Sequence, residues 1–315
     1  MQIFFILGVP IFLAAGTLFF RNIRIFGIIN AIGYLGVLFS SVFLLGKIVS
    51  SEQIVSHLGF IYIDSLSAFF ILVTSVVAFA AALYSIAYIK KDVETGTISR
   101  KKARMYYVLF NLFCFSMFFV PAVNNLGMLW VAIEMTTLIS AFLVGFYNSK
   151  ESVEAAWKYI IICSMGIIFA LLGTILFCYA FSLSEGTKSL NWPEMLAAAG
   201  RMDKNILKIA FIFILVGYGT KAGIAPMHTW LPDAHSQAVS PISALLSGVL
   251  LKTAIYAILR FGIIVIHGPG FHYFSNLMIL LGIVSLVISS GFILVQKDLK
   301  RLLAYSSIEH IGIIS

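Results

Sequence analysis

The chain has 315 residues, 61% of them hydrophobic and only 11% charged, with a mean hydropathy of +1.02 and a formal net charge of +8. A soluble domain carries about 25% charged residues, so a soluble globular protein is excluded and length counts membrane spans instead of domains. The positive balance does not indicate nucleic acid, because most of it sits in a few loops where membrane topology accounts for it.

Ten apolar spans follow in chain order, at 3–20, 25–45, 66–89, 105–121, 126–146, 157–181, 206–227, 242–266, 274–295 and 302–315. About 20 helical residues cross roughly 30 Å of hydrocarbon. The fold class is therefore an all-α polytopic membrane protein. The first span has no positive charge before it, and Arg21 and Arg24 follow it; this predicts a retained first helix and not a cleaved signal. The tenth span has 14 residues and the chain stops inside it, so the expectation is that more protein follows or that this is a fragment.

Charge supports this count. Thirteen of the 21 Lys and Arg fall in the loops after spans 1, 3, 5, 7 and 9, including Lys90, Lys91, Arg100, Lys101, Lys102 and Arg104. Six, Lys47, Lys188, Arg201, Lys204, Lys208 and Arg260, fall on the opposite side. The positive-inside rule then makes the first set cytoplasmic and puts the N-terminus outside. Asp64 opens the third span in YIDSLSAFF, where helix capping is expected. The stretch 191–200, NWPEMLAAAG, reads either as a short interfacial helix, with Trp192 at the membrane surface and Pro193 at a first helical position, or as a solvated loop.

The three cysteines, Cys114, Cys163 and Cys178, lie in apolar runs, with no CxxC and no Cys/His cluster at ligand spacing. We expect no metal, no nucleotide-binding glycine loop and no cofactor on this chain.

Two lysines stand inside spans. The seventh span contains GYGTKAGIAP, in which Gly217, Gly219 and Gly223 surround Lys221 and Pro226 follows. Glycine and proline at this density predict a broken helix, tolerated at membrane depth where freed backbone is buried in protein or lines a wet cavity. The bland alternative is a packing kink with a lysine that snorkels to the surface. Lys252 lies eleven residues past Pro241, roughly 16 Å into the eighth span. Gly248, Ser247 and Tyr256 near it suggest a hydrated interior face. A charged side chain at that depth costs roughly 2.5–3.5 kcal/mol on insertion scales and by default suggests function.

Glu134 is the acidic residue of the fifth span, and Lys221 is the partner we would assign it. A purely structural ion pair is the alternative. Between the lysines, MHTWLPDAHSQ supplies His228, Asp233 and His235. The histidines suit a proton relay, or are satisfied by backbone groups. Glu309 and His310 in the tenth span either extend a polar path or hydrogen-bond in the interior.

Together these residues resemble the antiporter-like proton-translocating membrane subunits of respiratory complex I, Mrp-type cation/proton antiporters and group 4 hydrogenases. The pattern K-x4-P-x-H-x-W-L-P-D-A-H-S is filled by Lys221, Pro226, His228, Trp230, Leu231, Pro232, Asp233, Ala234, His235 and Ser236, and it continues into LLSGVLLKTAIYAILRF with Lys252. QKDLKRLLAYSSIEHIG is a second match. The wording of the first looks most like the hydrogenase-type branch. The resemblance implies a broken helix 7, one complete five-helix repeat in helices 4–8, and a division into 1–104, 105–266 and an incomplete second repeat at 267–315.

The resemblance further implies that Glu134, Lys221 and Lys252 carry protons; His228, His235, Glu309 and His310 remain path candidates on their own chemistry. It implies a proton-translocating subunit of a redox complex in a prokaryotic inner membrane. Its partners would be other membrane subunits, a peripheral redox arm and the lipid bilayer. H+ would be the ion, with Na+ the alternative. An Mrp-like antiporter and a non-transporting scaffold are the rival readings.

Overall fold

The computed structural model describes residues 2–17, 22–51, 55–57 and 59–315. Residues 18–20 of the first expected span, and Arg21, lie outside the described residues. The helices are α1 (Gln2–Gly16), α2 (Ile23–Ser51), α3 (Ser65–Glu94), α4 (Arg100–Phe119), α5 (Leu126–Val144), α6 (Lys150–Glu185), α7 (Trp192–Ala198), α8 (Lys204–Ala222), α9 (Leu231–Gln237), α10 (Ser240–Leu245), α11 (Leu251–His267), α12 (Phe271–Ile293) and α13 (Leu299–Ile314). A π-turn, Leu246–Leu250, joins α10 to α11, so that Ser240–His267 runs as one span. A small antiparallel hairpin, β1 (Val55–His57) with β2 (Ile61–Ile63), precedes α3.

Each of the ten expected spans contains a helix, the eighth as α10, the π-turn and α11 in series, and the seventh only as far as Ala222, where α8 ends. Eight are long and apolar enough to cross a membrane; α1 is a shorter apolar helix and α13 has 16 residues. The all-α polytopic membrane fold is borne out. The burial pattern agrees, because many large apolar side chains are exposed around an interior that also holds polar residues. Phe12, Phe43, Phe142 and Val287 are exposed, whereas Asn30, Ser75, Asn111 and Thr136 are buried. In lipid, apolar side chains gain nothing by facing inward, and packing and interhelical hydrogen bonds hold helices together instead.

The chain forms two compact units, Met1–Val123 with Met135–Ala156 and Gln237–Val249, and Asn124–Glu134 with Trp157–Ser236 and Leu250–Ser315. Both are assembled from separated stretches. In the first unit, neutral groups tie the helices. Tyr34 donates to Asn111 Oδ1 at 2.9 Å, Ser41 and Ser75 hydroxyls meet at 2.7 Å, and Ser85 and Tyr106 do so at 2.7 Å. Asp64 caps α3, its carboxylate accepting from the Ser67 amide at 2.9 Å, as expected. Gly248 also belongs here. Its bare side faces Val77, where a Cβ would come within 2.9 Å, so it serves close packing.

In the second unit, α6 and α8 cross at small residues. A Cβ on Gly217 would fall 2.4 Å from the Ala170 amide nitrogen, and one on Gly166 would fall 2.7 Å from Thr220. Close backbone approach at such residues replaces the hydrophobic drive that lipid removes. The 191–200 stretch does contain a helix, α7, with Pro193 in its first turn. Trp192 is buried there, and its indole donates to the Arg260 carbonyl at 2.9 Å. Arg260 itself is 3% exposed inside α11, within the eighth expected span. It therefore leaves the loop-charge comparison, which widens the asymmetry.

Candidate functional site

The break sits at the end of α8. Of the three glycines around Lys221, Gly217 and Gly219 lie within the helix, and Gly223 ends it at φ 77°, a left-handed conformation glycine adopts without strain. The Gly223 amide bonds back to Gly219 and Thr220, and the Ile224 amide reaches the Gly219 carbonyl at 2.9 Å. The Trp230 indole donates to the Thr220 carbonyl at 2.8 Å, and the Ala225 amide donates to Ser285 Oγ at 3.0 Å. Backbone freed by the break thus finds partners within the protein, as membrane depth requires. The second part of MHTWLPDAHSQ forms α9, whose first turn includes Asp233.

Lys221 occupies the last turn of α8 at 0% exposure. Snorkelling is ruled out by that burial. Its ammonium donates to the Tyr159 hydroxyl at 2.5 Å and stands 4.8 Å from the centre of the Tyr159 ring, which in turn lies 4.6 Å from the Trp230 ring. Glu134 and Cys163 are its electrostatic neighbours. The carboxylate and the ammonium are not bonded to one another, contrary to the simplest pairing. Glu134 Oε1 instead accepts from Ser164 at 3.2 Å, and Oε2 is buried with no hydrogen-bond partner. A buried carboxylate oxygen without a donor is costly, and the nearby positive charge of Lys221 offsets part of that cost.

A second group of residues surrounds α9. His235 is 2% exposed, with Lys252 and Lys300 acting on it electrostatically. Burial, reinforced by these two positive charges, pushes its pKa down to about 3. It is therefore neutral across the physiological range, and a neutral imidazole has one donor and one acceptor nitrogen. His228 is also buried and is held below the ordinary histidine range by that burial, against a hydrogen bond with the Pro226 backbone. Its Nδ1 is buried without a partner, and its ring meets Tyr305 edge-on at 6.2 Å. Lys252 is partly buried in the first turn of α11, directly after the π-turn. Such turns concentrate at functional positions because they re-aim the side chains that follow them.

Asp233 anchors this region. It pairs with Lys158 of α6 at 3.2 Å and with Arg301 of α13, while Lys300 donates to the Ser236 carbonyl at 3.5 Å. Glu309 is half-buried and His310 exposed on α13. Among the described residues neither makes a hydrogen bond or ion pair with the others. The structure thus brings together Glu134 with Lys221, and His235 with Lys252, and does not join Glu309 or His310 to either. Sequence reasoning missed Tyr159, Asp233's anchoring role and buried Arg260. The signal for Tyr159 was weak, a single tyrosine in WKYII beside the membrane end of a span. Among the described residues no cluster of His, Cys, Asp or Glu could hold a metal ion.

Comparison with known proteins shows the family of the chain. Residues 122–315 match the family described as NADH:quinone oxidoreductase/Mrp antiporter, transmembrane, and residues 50–96 match the N-terminal family of NADH-ubiquinone oxidoreductase (complex I) chain 5. The chain is 42% identical over 259 residues to a hydrogenase-4 component F homolog of Methylacidiphilum infernorum, covering 82% of this chain and 54% of that protein. It is 31% identical to hydrogenase-4 component B of Escherichia coli over 80% of this chain and 35% of that one. It thus spans about half the length, or less, of these curated relatives. A chain of the membrane-bound sulfane sulfur reductase, an archaeal respiratory membrane complex, has the same fold, with a TM-score of 0.83 at 24% identity over 99% of this chain and 63% of that one. The resemblance drawn from the Lys221–Ser236 pattern is borne out: this chain belongs to the NADH:quinone oxidoreductase/Mrp antiporter transmembrane family.

Proposed function

We propose that the chain is a proton-translocating subunit of a membrane-bound redox complex, and that Lys221 is its central proton carrier. The observation that carries this reading is the fully buried ammonium of Lys221 at the end of a broken helix, with the Glu134 carboxylate near it but not bonded to it. A carboxylate that can approach and withdraw changes how tightly the ammonium holds its proton. The bond to Tyr159 gives that proton a hydroxyl neighbour. Neutral His235 offers one acceptor and one donor nitrogen beside Lys252, which suits transfer to or from that lysine. These groups titrate as a cluster, not singly.

The driving energy comes from outside this chain, through other membrane subunits and a redox arm. Moving one charge against 100 mV costs about 2.3 kcal/mol, within reach of a change in charge pairing worth about two pKa units. A scaffold role explains the buried charges poorly. Taking an ion out of water costs several kcal/mol even when it is paired, and apolar residues would hold the helices as well.

The test is proton uptake by inverted membrane vesicles that hold the assembled complex of full-length protein, energised by its electron donor. Lys221→Met is expected to abolish the uptake this subunit contributes while assembly is retained. Unchanged uptake in assembled Lys221→Met vesicles would overturn the reading. Proton flux that needs Na+ and no electron donor would replace it with an Mrp-like antiporter.

A further inference from the structure

Arg260 is a buried cation that the pathway just described does not use. It lies in α11 eight residues past Lys252, about 12 Å further along the helix, with about 10 Å of helix remaining before His267. Lys252, Tyr256 and Arg260 are spaced four apart and so share one helix face. They form a line of polar groups within a mostly apolar helix, in which Ile255, Ile258, Phe261 and Ile264 are buried.

Arg260 is held in place at several points. Its Nε donates to the Tyr256 hydroxyl at 2.8 Å. Its guanidinium lies 4.4 Å from the Trp192 ring centre and 4.9 Å from that of Tyr256. The Trp192 indole in turn donates to the Arg260 carbonyl at 2.9 Å, which ties α7 to this turn of α11. Two aromatic faces replace part of the water a guanidinium loses on burial. A guanidinium cannot be deprotonated in a protein. Unlike a lysine, it can neither accept a proton nor release one. It is a permanent positive charge at 3% exposure.

We propose that Arg260 is an electrostatic stop: its fixed charge, clamped between Trp192 and Tyr256, closes the polar line of α11 on the His267 side, so that a proton held at Lys252 cannot leak out along that helix. This rests on the reading of Lys252 as a proton carrier. Repulsion between two unit charges about 12 Å apart at an effective dielectric of about 20 lowers proton occupancy about tenfold. A proton moving closer to Arg260 meets a higher barrier. A purely structural Arg260 would tie α7 to α11 equally well without affecting proton permeability.

The experiment is passive proton leak into de-energised vesicles carrying the assembled complex, driven by a potassium diffusion potential and read with an internal pH dye. Arg260→Met is expected to raise the leak about tenfold, and Arg260→Lys, which keeps a charge and loses the planar fork, to stay near wild type. Adding Lys252→Met to Arg260→Met should return the leak to baseline. If Arg260→Met does not assemble, Arg260→Gln takes its place, since its amide still offers Tyr256 a donor. An unchanged leak in the assembled neutral variant overturns the proposal. So does equal leak in the lysine and neutral variants, which would mark a packing role, or leak that survives loss of Lys252. Donor-driven uptake in Lys221→Met, measured on the same preparations, tests the transport reading separately. If that uptake is lost while the Arg260 variants stay tight, only the stop is wrong.

Discussion

The two compact units solve the problem of polar groups in a membrane differently. In the first, interior polarity is neutral: serine, tyrosine and asparagine hydroxyls and amides bond to each other and to backbone. Its charges stay toward helix ends, as in the exposed Lys90–Glu94 pair of α3. In the second, the interior is charged. The buried Lys, Arg and His among the described residues, Lys221, His228, His235 and Arg260, all lie there. Neutral hydrogen bonds are inexpensive and average about 0.6 kcal/mol each in a bilayer, so they suit assembly. Buried ions are expensive and weak as fasteners, and they are expected where charge itself has work to perform.

Three substitutions or conditions sharpen that contrast. The largest effect is expected at the crossing of α6 and α8. In Gly217→Leu the new Cβ meets the Ala170 backbone, which has no side-chain freedom with which to yield. The cost is expected to exceed the usual ~1–3 kcal/mol of overpacking, and immunoblots of membranes should show that the protein no longer accumulates. Gly46→Ala in α2, with nothing within 4 Å of its Cβ, should accumulate normally, helped by up to about 1 kcal/mol of helix propensity. Loss in both would mean general glycine intolerance and not close approach.

Next is pH. The folded pKa of His235, about 3, lies below the ordinary value of 6.5. Its stabilising contribution is therefore complete above about pH 6.5 and is lost as pH falls toward 3. The loss at pH 4 is of order 3 kcal/mol. Thermal melts of the solubilised complex between pH 7 and 4 should steepen accordingly, and His235→Gln should flatten that part of the curve. An identical acid sensitivity in His235→Gln would assign it to other groups.

The smallest effect is expected for Ser75→Ala in the first unit. Losing the Ser41 contact should lower the melting free energy by about 0.6 kcal/mol and leave donor-driven proton uptake intact. A loss of uptake there would blur the division between a neutral and a charged interior.

Much of this architecture was legible along the chain because lipid imposes a simple rule. Backbone must be satisfied within each helix, so spans such as 126–146 and 274–295 are visible as apolar runs of sufficient length. Asp64 read correctly as a cap because capping is local, involving only Ser67 three residues on. The contact between Trp192 and Arg260 was not legible for the opposite reason: it joins residues 68 positions apart in sequence. Glu134 and Lys221 were recognisable as expensive charges, but not that Ser164 and Tyr159 would take their hydrogen bonds.

The sequence by itself determined the class, the spans, the break after Lys221 and the residues too costly to be ornamental, because hydropathy, glycine and proline placement and charge cost act within one segment. Tertiary structure alone decided which charge meets which partner. It set Asp233 between Lys158 and Arg301, Lys252 and Lys300 around His235, and Arg260 between two aromatic rings. Those pairings depend on how distant helices cross, and helix crossings in lipid are set by small residues such as Gly166 and Gly217 fitting against particular neighbours.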